Sequence, residues 1–172
     1  MRSLISLFVA VTLSTSAFAA DASGFTLPSI NGDKISLSDF KEDVVVLSFW
    51  ATWCGPCKEE MPHLEKLYQA HKDEGFTLLS ISTDDARSSA QVKPYIKKKK
   101  YSFPVLLDRQ SKVISEYNPA KTLPFTVIID KGVIVATHAG FKPGDELELE
   151  KQVAALIAGE PEAPADPAPT PE

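Results

Sequence analysis

An α/β sandwich is the fold class this sequence predicts, on three observations. Residues 44–50 are an almost unbroken apolar run, as expected of a strand covered on both faces, residues 76–82 read as a second apolar strand, and the segment between them has helical periodicity. Such a strand, helix, strand unit closes by a right-handed crossover with its two strands parallel. Residues 125–130 and 133–137 are apolar again but are joined only by Lys131-Gly132, which makes an antiparallel hairpin, and residues 144–158 supply a closing amphipathic helix.

The chain has 172 residues, 44% of them apolar, enough for one domain with a buried core. Eighteen Lys and Arg stand against 23 Asp and Glu, a formal charge of -5, so the basic excess that engages a phosphate backbone is missing and nucleic acid is not an expected partner. At the N-terminus Arg2 supplies a positive start, Leu4 to Leu13 an apolar stretch, and Ala17-Phe18-Ala19 a small-x-small cleavage site, the pattern of an export signal. The apolar stretch falls short of the ~20 residues of a spanning helix. Residues 1–19 are therefore read as a cleaved signal peptide, the periplasm as the destination, and residues 20–159 as the folded domain; no cysteine near the cut offers a site for lipid.

Along that domain, residues 25–27 and 34–37 flank Asn31-Gly32 and predict a short hairpin. Residues 44–50 are the best candidate for a central strand. From residue 54 to 71, Met61, Leu64, Leu67 and Tyr68 recur on one helix face, with Pro62 expected to kink it and Glu74-Gly75 ending the pattern. After the strand at 76–82, Asp84-Asp85 is read as the start of a helix over 87–100 that Pro94 bends or delays. A strand over 103–107 and a short helix over 111–117 follow. In the last helix Leu147, Val153, Leu156 and Ile157 are the expected core contacts. Residues 160–172 repeat Pro, Ala and acids, a composition that cannot bury a core and predicts a disordered tail.

The chain has only two cysteines, Cys54 and Cys57. A bond between them closes a tiny loop and removes little entropy from the unfolded chain, so stapling is a poor explanation. Redox chemistry and metal binding are left. Half of a zinc site has this spacing, but no second pair exists and His63, His71 and His138 offer no matching arrangement, so no metal and no other cofactor is expected. The placement of the pair between an apolar strand and a helix favours redox chemistry. Cys54 falls at the helix N-terminus, where unpaired amides and the dipole stabilise an anion. A thiol with pKa about 8.5 is about 3% ionised at pH 7 and one lowered to about 7 is half ionised, a difference of about 2 kcal/mol. Cys54 is then the nucleophile that forms a mixed disulfide, and Cys57, further into the helix, the buried resolving thiol. Gly55 and Pro56 shape the turn, and Pro56 brings no amide donor.

The stretch from Phe49 through Trp53-Cys54-Gly55-Pro56-Cys57 to Lys58 resembles the active site of thioredoxins, and Pro62 falls where that family kinks its active-site helix. With the N-terminal hairpin and the extra segment around residues 84–108, residues 24–159 are similar to the TlpA/ResA-like branch. The resemblance implies a thioredoxin-like fold, a three-layer α/β/α sandwich around a central mixed sheet with an N-terminal β-hairpin and a central insertion. It implies a cis Leu123-Pro124 bond facing the cysteines, with Leu123 contacting the substrate chain like an added strand. Ser48 stands where thioredoxins bury an aspartate; Glu60 matches the acidic position that ResA-like proteins place three residues after the second cysteine, and is either a proton relay or a surface acid beside Glu59. Leu123 and Phe125 depart from the small or β-branched neighbours common around that proline.

The activity so implied is reduction of disulfides in envelope proteins by a monomer. Thioredoxin's potential is about -270 mV and DsbA's about -120 mV, a gap of about 7 kcal/mol for two electrons, and Cys-Gly-Pro-Cys sides with the former. Re-reduction would come from a membrane thiol donor of the DsbD or CcdA kind, and apocytochrome c cysteines are among the conceivable substrates. A peroxiredoxin-type thiol peroxidase is the alternative enzyme, although Phe49-Trp50-Ala51-Thr52 lacks the proline those enzymes carry upstream of their cysteine. A non-enzymatic binding protein is the third reading. Lys97 to Lys100 read as a solvated helix end, Trp50 as core and Trp53 as active-site cover.

Overall fold

A computed structural model describes residues 20–159. The expected signal peptide and the expected tail lie outside the described residues. Eight strands and four helices follow in chain order. β1 (Ala20–Asp21) is an edge strand that the sequence does not announce; β2 (Thr26–Pro28) and β3 (Lys34–Ser36) form the expected hairpin. β4 (Val44–Trp50), α1 (Gly55–His71) and β5 (Phe76–Ser82) make the crossover. α2 (Val92–Lys99), β6 (Val105–Leu107) and α3 (Lys112–Tyr117) come next, then β7 (Phe125–Asp130), β8 (Val133–Ala139) and α4 (Asp145–Ile157).

Six strands form one mixed sheet in the order β1-β8-β7-β4-β5-β6, with β4, β5 and β6 parallel and β7 antiparallel to β4. Every residue of β4 and β5 is buried, because the sheet is covered on both faces. Strand alternation divides the core accordingly. Val44, Val46 and Trp50 join α1, α2 and α4 on one face, while Val45, Leu47 and Phe49 join α3 and the N-terminal hairpin region on the other. The chain is thus the three-layer α/β/α sandwich with a thioredoxin-like order of elements.

Two expectations are corrected. The helix over 87–100 begins only at Val92, preceded by a 3-10 turn at Ser89–Gln91. The Asp85 carboxylate accepts from the Arg87 and Ser88 amides and from the Ser88 hydroxyl, closing a local turn in place of a helix start. Pro94 then falls in the first turn of α2, where its missing donor costs nothing. In α4, Leu147 is 66% exposed and Leu149, at 8%, takes its place in the core beside Val153. A helix starting at Asp145 presents positions 149, 153, 156 and 157 to the sheet, and 147 lies on the opposite side.

Candidate functional site

The parallel β4 and β5 end together, and what ties their ends is a carboxylate. Asp84, fully buried just beyond β5, accepts from the Thr52 amide at 2.8 Å, the Thr52 hydroxyl at 2.6 Å and the Ser82 hydroxyl at 2.9 Å. The Thr83 amide adds a bond to the Trp50 carbonyl, 2.8 Å. The short loop leaving β4 is therefore held from both sides before it turns into α1. Asp84, read from the sequence as a helix start, is a tether of that loop; the available signal was its position just past a parallel strand paired with β4.

Cys54 is the N-cap of α1, with extended backbone (φ -79°, ψ 112°) and Gly55 and Pro56 in the first turn behind it. Its Sγ accepts the Cys57 amide at 3.2 Å. Cys54 and Cys57 are joined by a disulfide with Cα atoms 5.4 Å apart. Cys54 is 5% exposed and Cys57 0%, the order expected of an outer and an inner sulfur. Trp53 is no cover: it stands 69% exposed at the lip of the site, whereas Trp50 is wholly buried against Tyr95.

Leu123-Pro124 is a cis bond, as expected. Pairing of Phe49 with Phe125 carries Pro124 to the same end of β4 from which the cysteine loop departs, and the Pro124 carbonyl accepts the Gly140 amide at 2.8 Å. Leu123 is half-buried and packs on the cluster that contains both cysteines.

Glu60, one helical turn beyond Cys57, is not a surface acid: it is only 6% exposed. Its Oε1 accepts the Thr126 hydroxyl at 3.0 Å, while Oε2 has no partner among the described residues. Burial pushes its carboxyl up to about 7, and nearby Asp145 adds to this; the Thr126 bond and the proximity of Ser48 work the other way. Among the described residues Ser48 Oγ nonetheless finds no hydrogen-bond partner, and neither does Ser80 Oγ. Strand register puts Ser80, Ser48, Thr126 and His138 in one row across β5, β4, β7 and β8, so the layer beneath Glu60 is a polar stripe in an otherwise apolar face. Among the described residues no cluster of three or more His, Cys, Asp or Glu side chains is arranged to hold a metal ion.

The profile of the AhpC/TSA family matches residues 19–138. Thiol-disulfide oxidoreductase ResA of Bacillus cereus is 35% identical over 129 residues, 74% of this chain and 73% of that protein. Thioredoxin-like protein YneN of Bacillus subtilis is 38% identical over 128 residues, 74% of each. Among solved structures, a thiol:disulfide interchange protein from Bacteroides sp. superposes with a TM-score of 0.67 at 31% identity, covering 80% of this chain and 91% of that one. Motif, sheet order and relatives agree: the chain belongs to the AhpC/TSA family, as one of its ResA-like thiol-disulfide oxidoreductases with a thioredoxin fold.

Proposed function

We propose that this protein is exported to the periplasm and there reduces disulfides of envelope proteins, with Cys54 as nucleophile and Cys57 as resolving thiol. The observation that carries the reading is the N-cap placement of Cys54, whose sulfur accepts the Cys57 amide. In the reduced protein the same donor and the helix dipole favour the Cys54 thiolate, the form that attacks a disulfide. Glu60 lies one turn beyond Cys57 and, with its carboxyl raised to about 7, accepts or returns a proton near neutral pH. Leu123 and Pro124 shape the groove in which a substrate chain lies, and exposed Trp53 adds an aromatic contact at its lip.

Electrons come from a membrane thiol donor of the DsbD or CcdA kind, and the disulfides of apocytochromes c belong to the substrate class so defined. Among the described residues no helix is long and apolar enough to cross a membrane, and export rests on the signal-like residues 1–19.

Trapping tests the assignment: Cys57→Ser should accumulate mixed disulfides with envelope proteins, Cys54→Ser should accumulate none, and the equilibrium potential of the pair should lie near that of thioredoxin. A potential above about -180 mV would overturn the reducing direction. The thiol peroxidase of the sequence analysis is the second reading. Against it, the Thr52 hydroxyl is committed to Asp84 and not turned to the cysteines; peroxide consumption unaffected by Cys57→Ser would reinstate it.

A further inference from the structure

Among the described residues one hydrogen bond holds the Glu60 carboxylate, donated to Oε1 by the Thr126 hydroxyl at 3.0 Å. Both residues are buried, Glu60 6% and Thr126 2% exposed. Alternation along β7 sends Phe125, Val127 and Ile129 to the face of the sheet that α3 covers, and Thr126 and Ile128 to the face that α1 covers. Thr126 is therefore a hydroxyl where the strand otherwise presents apolar side chains, and a valine there would have nearly the same shape. Packing does not call for that oxygen. The carboxylate opposite it does, because a buried ion without a donor is costly.

We propose that Thr126 is the positioning residue of the proton acceptor: its hydroxyl holds the Glu60 carboxyl in one orientation and favours the ion over the acid, so that Glu60 can still take a proton at neutral pH. The inference rests on the reading of Glu60 as the proton acceptor of Cys57. In the resolving step the Cys57 thiol gives its proton to Glu60, the Cys57 sulfur bonds to Cys54, and the bond from Cys54 to the substrate sulfur breaks. Its electron pair leaves with the substrate thiolate, which takes a proton from solvent. Only the ionised form of Glu60 can serve in that step. Thr126 touches neither sulfur nor substrate and acts through Glu60.

The charged and titratable groups facing Glu60 are Cys57 and His63 from α1, His138 from β8, and Asp145 and Glu146 from the start of α4; β4 and β7 offer the neutral Ser48 and Thr126. Burial first, and Asp145 after it, bring the carboxyl up to about 7 against the pull of the Thr126 bond and of Ser48. A hydrogen bond to an ion is about twice as strong as one between neutral groups, so losing this donor lets the value climb by about one further pH unit. At pH 7 the ionised share of Glu60 then falls from about half to about a tenth.

The test has two readouts on the full-length protein. The first is a carbon-13 NMR titration of the disulfide form labelled at its glutamate carboxyls, with Glu60 identified as the signal missing from Glu60→Gln. Its midpoint should rise by about one pH unit in Thr126→Val and return in Thr126→Ser, which keeps the hydroxyl; Thr126→Ala gives the same reading should the valine variant not fold. The second is single-turnover oxidation of the reduced protein at saturating oxidised glutathione, followed by tryptophan emission from pH 6 to 9. Thr126→Val should react about fivefold more slowly at pH 7 and recover as the pH rises, with Thr126→Ser restoring the rate. A midpoint that stays in place without the hydroxyl, or a loss of rate equal at every pH, overturns the role of Thr126. If instead the midpoint moves but Glu60→Gln leaves the rate and its pH profile unchanged, the underlying reading of Glu60 is what fails, and the proposal falls with it.

Discussion

Replacing Glu60 by Gln should remove most of one pH-dependent stability difference, and its size follows from the burial of a single carboxyl. In the unfolded chain this group loses its proton near 4.5, and in the folded chain near 7, chiefly because burial disfavours the ion. Between those values the folded state holds more protons than the unfolded one, so stability falls as pH rises and the loss is complete above the folded value. The distance from 4.5 to about 7, at 1.36 kcal/mol per pH unit, makes this loss about 3 kcal/mol. In E60Q the side-chain carbonyl still accepts from Thr126, and its amide nitrogen occupies the position that has no partner, at a pH-independent cost of about 1–3 kcal/mol. The assay is guanidinium unfolding of both proteins in the disulfide form, in which Cys54 and Cys57 do not titrate, at intervals from pH 4.5 to 8. Other carboxylates titrate alike in the two proteins and cancel in the difference. Stability of E60Q relative to the unmodified protein should rise by about 3 kcal/mol from the acidic to the alkaline end. A difference that stays constant across the range refutes the reasoning, because the folded carboxyl would then have an ordinary pKa.

Three further outcomes follow from the same contacts. Asp84→Ala leaves the Thr52 amide and hydroxyl without their acceptor, and should cost about 3 kcal/mol in denaturant unfolding and speed amide exchange at Trp53 and Cys54; Asp84→Asn, which retains one acceptor, should cost less. In α4, Leu149→Ala should destabilise by about 2–5 kcal/mol while Leu147→Lys stays within about 0.5 kcal/mol, and equal effects in thermal unfolding would put the helix in a different rotation. Trp53→Ala should leave stability within about 0.5 kcal/mol but raise KM for a disulfide-bonded protein substrate more than for oxidised glutathione, since the exposed indole can only serve contacts made by a larger partner.

The central strands were legible because strands covered on both faces are mostly apolar, so Val44 to Trp50 and Phe76 to Ser82 stood out even with Ser48, Thr77, Ser80 and Ser82 among them. The cysteine pair was legible for a similarly local reason: a strand end followed by Gly-Pro sets Cys54 at a helix N-cap whatever the rest of the chain does. Glu60 was open between surface and interior in the sequence, since its neighbours on the helix are compatible with both. Its burial was decided by Thr126, 66 residues away in the chain, and by the polar row beneath it. Asp84 acquired its role from Thr52, 32 residues distant, because only the parallel pairing of β4 and β5 brings their ends together. Periodicity and capping act within a turn or two of helix and can be read along the chain; desolvation of a carboxylate and the rotation that buried Leu149 in place of Leu147 depend on which surfaces meet, and that is settled only when the layers pack.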